Sequence, residues 1–310
     1  MAAITGISWT KSTFNPWIGC TKVGPGCDHC YAESRMDSRL HIVNWGPGQP
    51  RKRTRPANWN GPVKWNAEAP SSEFAGIKGY WPVFCSSLAD VFDNEVPEDW
   101  RIELFELIRA TPNLTWQLLT KRIGNAKKMI DRVISTLDIG HDPAFAAWPW
   151  PNVWIGATVV NQEEADRDVP KLLDVPAAKR FVSIEPMLGA INIKRSHLDG
   201  MSEGESFHDS TGKEHKRISY GPKLDWVICG GESGKDARPM NPDWARSLRN
   251  QCVAAGTAYF FKQWGEWLFD SQNPKVDDPI NPHNAIKVGT KPAGNLLDGK
   301  AWQQFPDSVA

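Results

Sequence analysis

Three cysteines lie close together near the start of the 310-residue chain, at Cys20, Cys27 and Cys30. A two-residue gap lets two thiolates bind one metal or cluster from a single turn, and the intervening 24–26 stretch, Gly-Pro-Gly, predicts a tight bend. Three thiolates are one short of the four that close a zinc site or an iron–sulfur cluster, so a [4Fe–4S] cluster held here would leave one iron open to another ligand. The alternatives are a zinc site completed by His29 or a remote residue, and ordinary buried thiols.

The other three cysteines, Cys85, Cys229 and Cys252, are scattered along the chain. The first residues lack a basic segment followed by an apolar one, and no stretch reaches the ~18 apolar residues of a membrane span. The sequence therefore predicts a cytoplasmic protein with reduced thiols and no membrane partner. Cys85 and Cys229 fall on predicted strands, and a small buried side chain is the simplest interpretation of both. Cys252 falls on the apolar face of a predicted helix and is interpreted as a core residue.

The charges cancel over the whole chain, with 36 Lys and Arg against 36 Asp and Glu. This balance excludes a globally basic nucleic-acid-binding protein but leaves a local basic patch possible. Positive charge beside aromatic rings suits phosphates and stacked bases; the alternative is a solvated loop whose tryptophans cover the fold. The one dense cluster of this kind comprises Arg51, Lys52, Arg53 and Arg55, flanked by Trp45, Trp59 and Trp65.

The elements that must position these residues alternate between strand and helix. Short β-branched and aromatic runs predict six strands, which amphipathic helices separate, and this rhythm favours a parallel sheet wound as a barrel, a partial barrel or a doubly wound sheet. Pro170 is expected to kink or split its helix. The predicted strands are 83–87, 114–119, 153–158, 179–184, 225–229 and 257–262, and the predicted helices are 98–110, 125–137, 162–173 and 242–255. The stretches 44–69, 198–222 and 270–310 fall outside this rhythm.

Polar residues follow the predicted strands at the edge where parallel α/β folds carry their chemistry. Strand ends that meet solvent are also polar, so each residue alone is ambiguous, whereas the set favours function. Gly230 and Gly231 could bring backbone N–H groups to a phosphate or carboxylate, or could simply make a tight turn. The set comprises Ser86, Ser87, Asp90, Thr120, Lys121, Arg122, Thr158, Ser183, Glu185, Glu232, Ser233, Lys262, Gln263 and Trp264.

Several short blocks, in order from residue 7 to residue 265, carry a resemblance. They are Ile7-Ser8-Trp9-Thr10, Asn15-Pro16-Trp17-Ile18-Gly19-Cys20, Gly26-Cys27-Asp28-His29-Cys30-Tyr31-Ala32-Glu33, Ser86-Ser87-Leu88-Ala89-Asp90-Val91-Phe92, Leu118-Leu119-Thr120-Lys121-Arg122, Ser183-Ile184-Glu185-Pro186-Met187-Leu188-Gly189, Gly230-Gly231-Glu232-Ser233-Gly234 with Ala237-Arg238-Pro239, and Phe260-Phe261-Lys262-Gln263-Trp264-Gly265. Together they resemble a phage-associated family of radical-SAM-like three-cysteine proteins whose members' reactions are mostly unassigned. This chain departs from the commonest radical-SAM cysteine spacing, since its first gap is six residues where three is usual.

The resemblance implies an α/β fold, a partial (β/α)6 TIM-like radical-SAM barrel over 1–269 with insertions at about 44–69 and 198–222, and an irregular C-terminal extension over 270–310. It also implies a [4Fe–4S] cluster on Cys20, Cys27 and Cys30, S-adenosylmethionine, an electron donor and, for a phage-encoded protein, the host cytosol. The implied S-adenosylmethionine contacts are Ser86, Ser87 and Asp90 for the methionine amino group, and Thr158, Ser183 and Glu185 for the ribose and the methionine carboxylate. Candidate substrate contacts are Lys121, Arg122, Gly230, Gly231, Glu232, Ser233, Lys262 and Trp264. In such a radical reaction the thiols of Cys85 and Cys229 could return a hydrogen atom, with a small buried side chain as the simpler interpretation of both.

The function expected from this resemblance is a 5′-deoxyadenosyl-radical enzyme that modifies or rearranges a nucleic-acid base or a modified nucleotide. Phage DNA thymine hypermodification, an isomerase-type reaction, is one form, and a lyase that repairs a base photoproduct is another. A zinc-binding phage module without catalysis is an alternative of a different class. An electron-transfer protein is a further alternative, and it needs a fourth protein ligand to its cluster.

Overall fold

Seven parallel strands form the central sheet, and their order across the sheet is their order along the chain. The structure is a computed structural model that describes residues 4–137, 145, 147–208, 211, 213–272 and 284–306. The strands are β1 (Ser12–Phe14), β2 (Pro82–Cys85), β3 (Thr115–Thr120), β4 (Val153–Thr158), β5 (Lys179–Ile184), β6 (Trp226–Gly230) and β7 (Ala258–Gln263). The predicted parallel α/β sheet is confirmed; β1 is the strand that the sequence pattern missed.

Helices connect the strands and pack on one face of the sheet. Parallel strands need such crossovers, and helices on a single side curve the sheet into a half-barrel. The helices are α1 (Tyr31–Glu33, continued by a π-helical turn over Ser34–Arg39), α2 (Pro56–Glu68), α3 (Glu98–Arg109), α4 (Ile123–Thr136), α5 (Gln162–Asp174), α6 (Arg195–Asp199), α7 (Pro242–Ala255) and α8 (Thr290–Ala293). Within the described residues, no helix is both long and apolar enough to cross a membrane.

Helix α5 corrects one expectation, because it runs through Pro170 without a break. Its buried stripe, Ala165, Val169 and Leu172, spans the proline and packs in the core between helices and sheet. The missing proline N–H costs one helical hydrogen bond. Burial of the apolar stripe offsets that loss, since tertiary packing supplies most of the stability of a helix in a protein.

The concave face of the sheet carries an aromatic cluster that we call the aromatic floor. It occupies the first three residues of β4 to β7, and the segments around Trp9, Tyr80 and Phe305, outside the sheet, add rings to it. Trp226 is the hub: its ring centroid lies 6.1 Å from that of Trp9 and 5.3 Å from that of Phe305. The floor comprises Trp9, Tyr80, Trp154, Phe181, Trp226, Ile228 and Phe260, with Phe84 and Phe305 partly buried against it. It closes the end of the half-barrel where the strands begin and leaves the opposite end to polar residues.

Gly156 is where we expect a single methyl group to strain the aromatic floor. A Cβ atom at this position would lie 2.3 Å from Cζ of Phe181, a fully buried ring packed against Trp9 and Trp226. Overpacking of a core costs about 1–3 kcal/mol, so Gly156→Ala should lower the free energy of unfolding by that amount in a urea titration. Gly124→Ala, on the exposed side of α4, is the matched control and should raise it by about 0.5–1 kcal/mol. Equal stability of Gly156→Ala and wild type would show that the aromatic floor can accommodate the extra methyl group.

The segments outside the sheet are more ordered than their sequences suggest. In the 198–222 stretch an exposed antiparallel ribbon, Met201–His208 with Glu214–Tyr220, precedes β6 at the edge where the strands begin. In the predicted C-terminal extension, the backbone of 302–304 bonds to β7 and Phe305 enters the aromatic floor. The described part of that extension is therefore integral to the half-barrel.

The basic, tryptophan-rich stretch 44–69 is not an open loop. Its second half is helix α2, and Trp59 and Trp65 are core residues. The guanidinium of Arg51 is fully buried and ion-paired with Asp93 at 2.8 Å. These rings and this charge are therefore unavailable to a nucleic acid.

Candidate functional site

The three cysteines belong to a loop over 19–31, the cysteine loop, which leaves β1 and crosses the C-terminal edge of the sheet. The loop passes so close to the end of β4 and the start of α5 that two of its glycines leave no room for a side chain. A Cβ atom on Gly24 would lie 2.6 Å from Oε1 of Glu164, and one on Gly26 would lie 2.7 Å from Cγ1 of Val160. Glycine is the residue that permits such close approach. The sequence thus places three thiols over the polar end of the half-barrel.

A charged cluster, the Glu232 clamp, fixes the cysteine loop to the end of β6. Arg238 donates from Nε and Nη2 to the two carboxylate oxygens of Glu232, at 2.8 and 2.7 Å. The same guanidinium reaches Oδ2 of Asp28 at 2.9 Å and the carbonyl of Pro25 at 3.0 Å. Burial opposes ionisation of Glu232, yet its bonds to Arg238 and His29 hold its pKa below the usual value. Glu232 therefore organises the loop.

His29 takes part in the same clamp, with Nδ1 3.2 Å from Oε2 of Glu232. Zinc binding by this ring would require the other nitrogen or a broken pair. Within the part of the chain that the structure describes, no three His, Cys, Asp or Glu side chains are grouped closely enough to hold a metal ion. Any metal or cluster on the cysteine loop would therefore draw its ligands together on binding.

Cys20 contacts the guanidinium of Arg122, whose Nη1 lies 3.2 Å from Sγ. Arg122 follows β3 and donates from Nη2 to the Thr21 carbonyl at 2.7 Å. Burial and the nearby Asp90 raise the pKa of the Cys20 thiol to about 11, and Arg122 opposes that rise. The cation thus favours the thiolate form, the one that binds metals.

Asp90 holds Arg122 in place and has little capacity left for a ligand. Its Oδ1 accepts from the Thr120 hydroxyl at 2.7 Å, and its Oδ2 accepts from the Lys121 backbone at 3.0 Å and lies 3.3 Å from Nη1 of Arg122. The resemblance implied that Asp90, with Ser86 and Ser87, binds the methionine amino group. In this geometry it positions Arg122, and through Arg122 it acts on Cys20.

Cys27 is buried, whereas Cys30 is half-buried and lines a cleft beside α1. Tyr31 follows directly, with its hydroxyl donating to the Ser87 carbonyl at 2.6 Å. Asn15 ties the same turn to β1, because its Oδ1 accepts from the Leu88 N–H at 2.7 Å. The loop after β2 therefore serves as a support for the cysteine loop.

A polar layer lies above the aromatic floor on the concave face. Thr158 and Ser183 are register partners at the ends of β4 and β5, and both are buried. Lys262 donates to Oε1 of Glu185 at 2.6 Å across the end of β7. Ser86, at the end of β2, is buried and its hydroxyl lacks a partner among the described residues. The prediction that these strand ends lie at one edge of the sheet is confirmed.

The glycine pair after β6 has a steric explanation. A Cβ atom on Gly231 would lie 1.9 Å from the backbone oxygen of Trp264, and one on Gly230 would lie 3.4 Å from Cδ of Glu185. Trp264 is buried and its indole N–H donates to the Leu296 carbonyl at 2.9 Å, so it holds the C-terminal segment rather than a substrate. Ser233 is exposed and lines the same cleft beside α1 as Cys30.

Two cysteines offered as hydrogen-atom donors lie on the other side of the sheet. Cys85 and Cys229 are fully buried in the core beneath the helices, not on the concave face. Burial raises the pKa of Cys229 to about 12. This placement removes both as donors to a ligand at the strand ends, and it confirms the simpler interpretation as buried side chains. Cys252 is a core residue, as predicted.

Sequence reasoning missed the supporting residues. Asn15, Tyr31 and Arg238 lie within the blocks that carry the resemblance, so their position was the available signal. Arg51 and Asp93 had none, because their pairing depends on a contact between residues far apart in the chain.

No curated protein sequence and no solved structure matches this chain. One family, described as "Protein of unknown function (DUF5131)", matches it over residues 4–306. The match takes in every strand of the half-barrel, the cysteine loop and the Glu232 clamp. The chain therefore belongs to the DUF5131 family.

Proposed function

We propose that this chain is a radical S-adenosylmethionine enzyme whose half-barrel is the partial (β/α) barrel of that class. Its [4Fe–4S] cluster would be held by Cys20, Cys27 and Cys30, and its substrate would be a nucleic-acid base or modified nucleotide. The observation that carries this proposal is the position of the cysteine loop. Three thiols follow the first strand of a parallel half-barrel and lie over the C-terminal edge of the sheet, where such folds bind their ligands.

The chemistry of the donor set fits the cluster. Thiolates are the ligands that iron–sulfur clusters take, and three of them would leave one iron open to a further ligand such as S-adenosylmethionine. When bound and reduced, the cluster supplies the electron that cleaves S-adenosylmethionine into methionine and a 5′-deoxyadenosyl radical. The protein has to bind, orient and exclude water.

The residues of the chain divide these tasks by position. Arg122 donates a hydrogen bond to Cys20 Sγ, the kind of outer-shell contact that orients a ligand and tunes a cluster. The Ser86 hydroxyl and Oε2 of Glu185 have no hydrogen-bond partner among the described residues, so both would be available to a bound ligand. Thr158 and Ser183 supply hydroxyls between them. The aromatic floor would exclude water from the end of the half-barrel where the strands begin, which would protect a reactive intermediate from competing reactions.

Anaerobic reconstitution tests this proposal. We expect about four irons per chain and formation of 5′-deoxyadenosine from S-adenosylmethionine after reduction with dithionite. A protein with a complete cluster that leaves S-adenosylmethionine intact would contradict the catalytic assignment. Stoichiometric zinc without sulfide, in protein purified without air, would favour the non-catalytic zinc module instead.

A further inference from the structure

A cleft of about 760 Å³ lies between α1 and the turn after β6, with Cys30 in its wall. We call it the Cys30 cleft. Arg35 and Arg39 line one side from the π-helical turn that continues α1, and Lys235 lines the other side. Its position beside the cysteine loop places it next to the proposed reaction centre.

The charge of the Cys30 cleft is positive once its ion pairs are set aside. Glu33 pairs with Lys22 at 2.9 Å, and Asp28 pairs with Arg238 at 2.9 Å, so neither carboxylate is available to neutralise another cation. Arg35, Arg39 and Lys235 are exposed and without a partner among the described residues. Among the described carboxylates that line the cleft, Asp236 alone has no ion pair and opposes these three cations.

An exposed aromatic ring stands at the lip of the cleft. Tyr31 is 57% exposed, yet its hydroxyl bond to the Ser87 carbonyl fixes the ring beside Cys30. A ring already held in place loses little freedom on binding. Cations that can meet phosphates next to a fixed aromatic ring are the combination that binds nucleotides.

We infer that the Cys30 cleft binds the phosphates of a nucleotide ligand through Arg35, Arg39 and Lys235, with Tyr31 as a stacking platform for its base. This inference rests on the proposed function and specifies where its substrate enters. The ligand is either a nucleic-acid strand or a free nucleotide, since both present a phosphate and a flat ring.

A matched control lies on the outer side of the helices. A groove of about 670 Å³ between α4 and α5 is lined by Lys127, Lys128 and Lys171, and it lacks an aromatic wall. Lys127 pairs with Asp174 at 2.9 Å and Lys171 with Asp168 at 3.0 Å. Reversal of three charges there changes the net charge of the protein by the same amount as reversal in the Cys30 cleft.

The experiment measures anisotropy of a fluorescein-labelled twelve-residue thymidine oligonucleotide with the full chain. Arg35→Glu/Arg39→Glu/Lys235→Glu should raise the Kd at least tenfold. It should also reduce the slope of log Kd against log salt concentration by about 2. Lys127→Glu/Lys128→Glu/Lys171→Glu should stay within twofold of wild type. Tyr31→Ala should weaken binding severalfold and Tyr31→Phe, which keeps the ring, much less. Competition by thymidine monophosphate at equal nucleotide concentration would identify a free nucleotide as the ligand and supports the site equally.

Equal losses in the two triple variants, or no loss in the cleft variant, would overturn the inference. Its failure is separable from that of the proposed function. Formation of 5′-deoxyadenosine without nucleotide binding at the cleft would refute only the assignment of the cleft as a nucleotide site. Nucleotide binding without formation of 5′-deoxyadenosine would refute only the proposed radical chemistry.

Discussion

Cys30→Ala is expected to abolish the iron–sulfur cluster and, with it, the formation of 5′-deoxyadenosine. Two thiolates cannot hold a cubane that the proposal assigns to three, so reconstituted protein should lose the charge-transfer absorption of the cluster and most of its about four irons. Cys30 suits this test better than Cys20. Removal of the Cys20 thiol would also take the acceptor from Arg122 and disturb its buried network.

The control for this variant is Cys252→Ala. Cys252 is a buried cysteine on α7, in the core beneath the helices, so its loss should leave iron content and 5′-deoxyadenosine formation unchanged. Circular dichroism of both variants separates loss of the cluster from loss of the fold. A Cys30→Ala protein with its full complement of iron would contradict the ligand assignment and point to a different third ligand.

The extent to which sequence predicted this fold follows from the range of the interactions. Strands such as 153–158 and 179–184 and helix 242–255 were predicted with matching bounds, because their apolar periodicity is a local signal. Strand β1, three residues long, offers too few residues for a period. Helix α2 was missed because its sequence contains Gly61, Pro62 and two tryptophans, and burial of Trp59 and Trp65 overrides those poor local propensities.

The candidate site divides in the same way. Topology alone predicts that residues after the strands meet at one edge, and Asp90, Arg122 and Glu185 do so. Which of them faces a ligand depends on pairing between distant segments, as Glu232 shows by its bonds to Arg238 and His29. The side chain of a strand residue also points to one of the two faces of the sheet. The sequence did not indicate that Cys85 and Cys229 point to the face covered by the helices.

Arg122→Met is expected to destabilise the protein by about 3–5 kcal/mol, because it removes one partner of a buried ion pair. The side chains of Arg122 and Asp90 are 9% and 6% exposed, and Asp90 would keep its hydrogen bonds from Thr120 and two backbone N–H groups but lose its cation. The Thr21 carbonyl would also lose its donor, which loosens the cysteine loop from β3. Urea titrations of the free energy of unfolding measure this effect.

Two companion variants decide whether the loss arises from the buried pair. Arg132→Met, on the outer side of α4, removes an exposed arginine 3.6 Å from Glu98 and should cost at most about 1 kcal/mol. Asp90→Asn/Arg122→Met leaves no unpaired buried charge and should recover part of the stability that Arg122→Met loses. If Arg122→Met were no less stable than Arg132→Met, the network from Asp90 through Arg122 to Cys20 would not hold the cysteine loop. The position of the three thiols over the sheet would then depend on the Glu232 clamp and on the steric fit of Gly24 and Gly26.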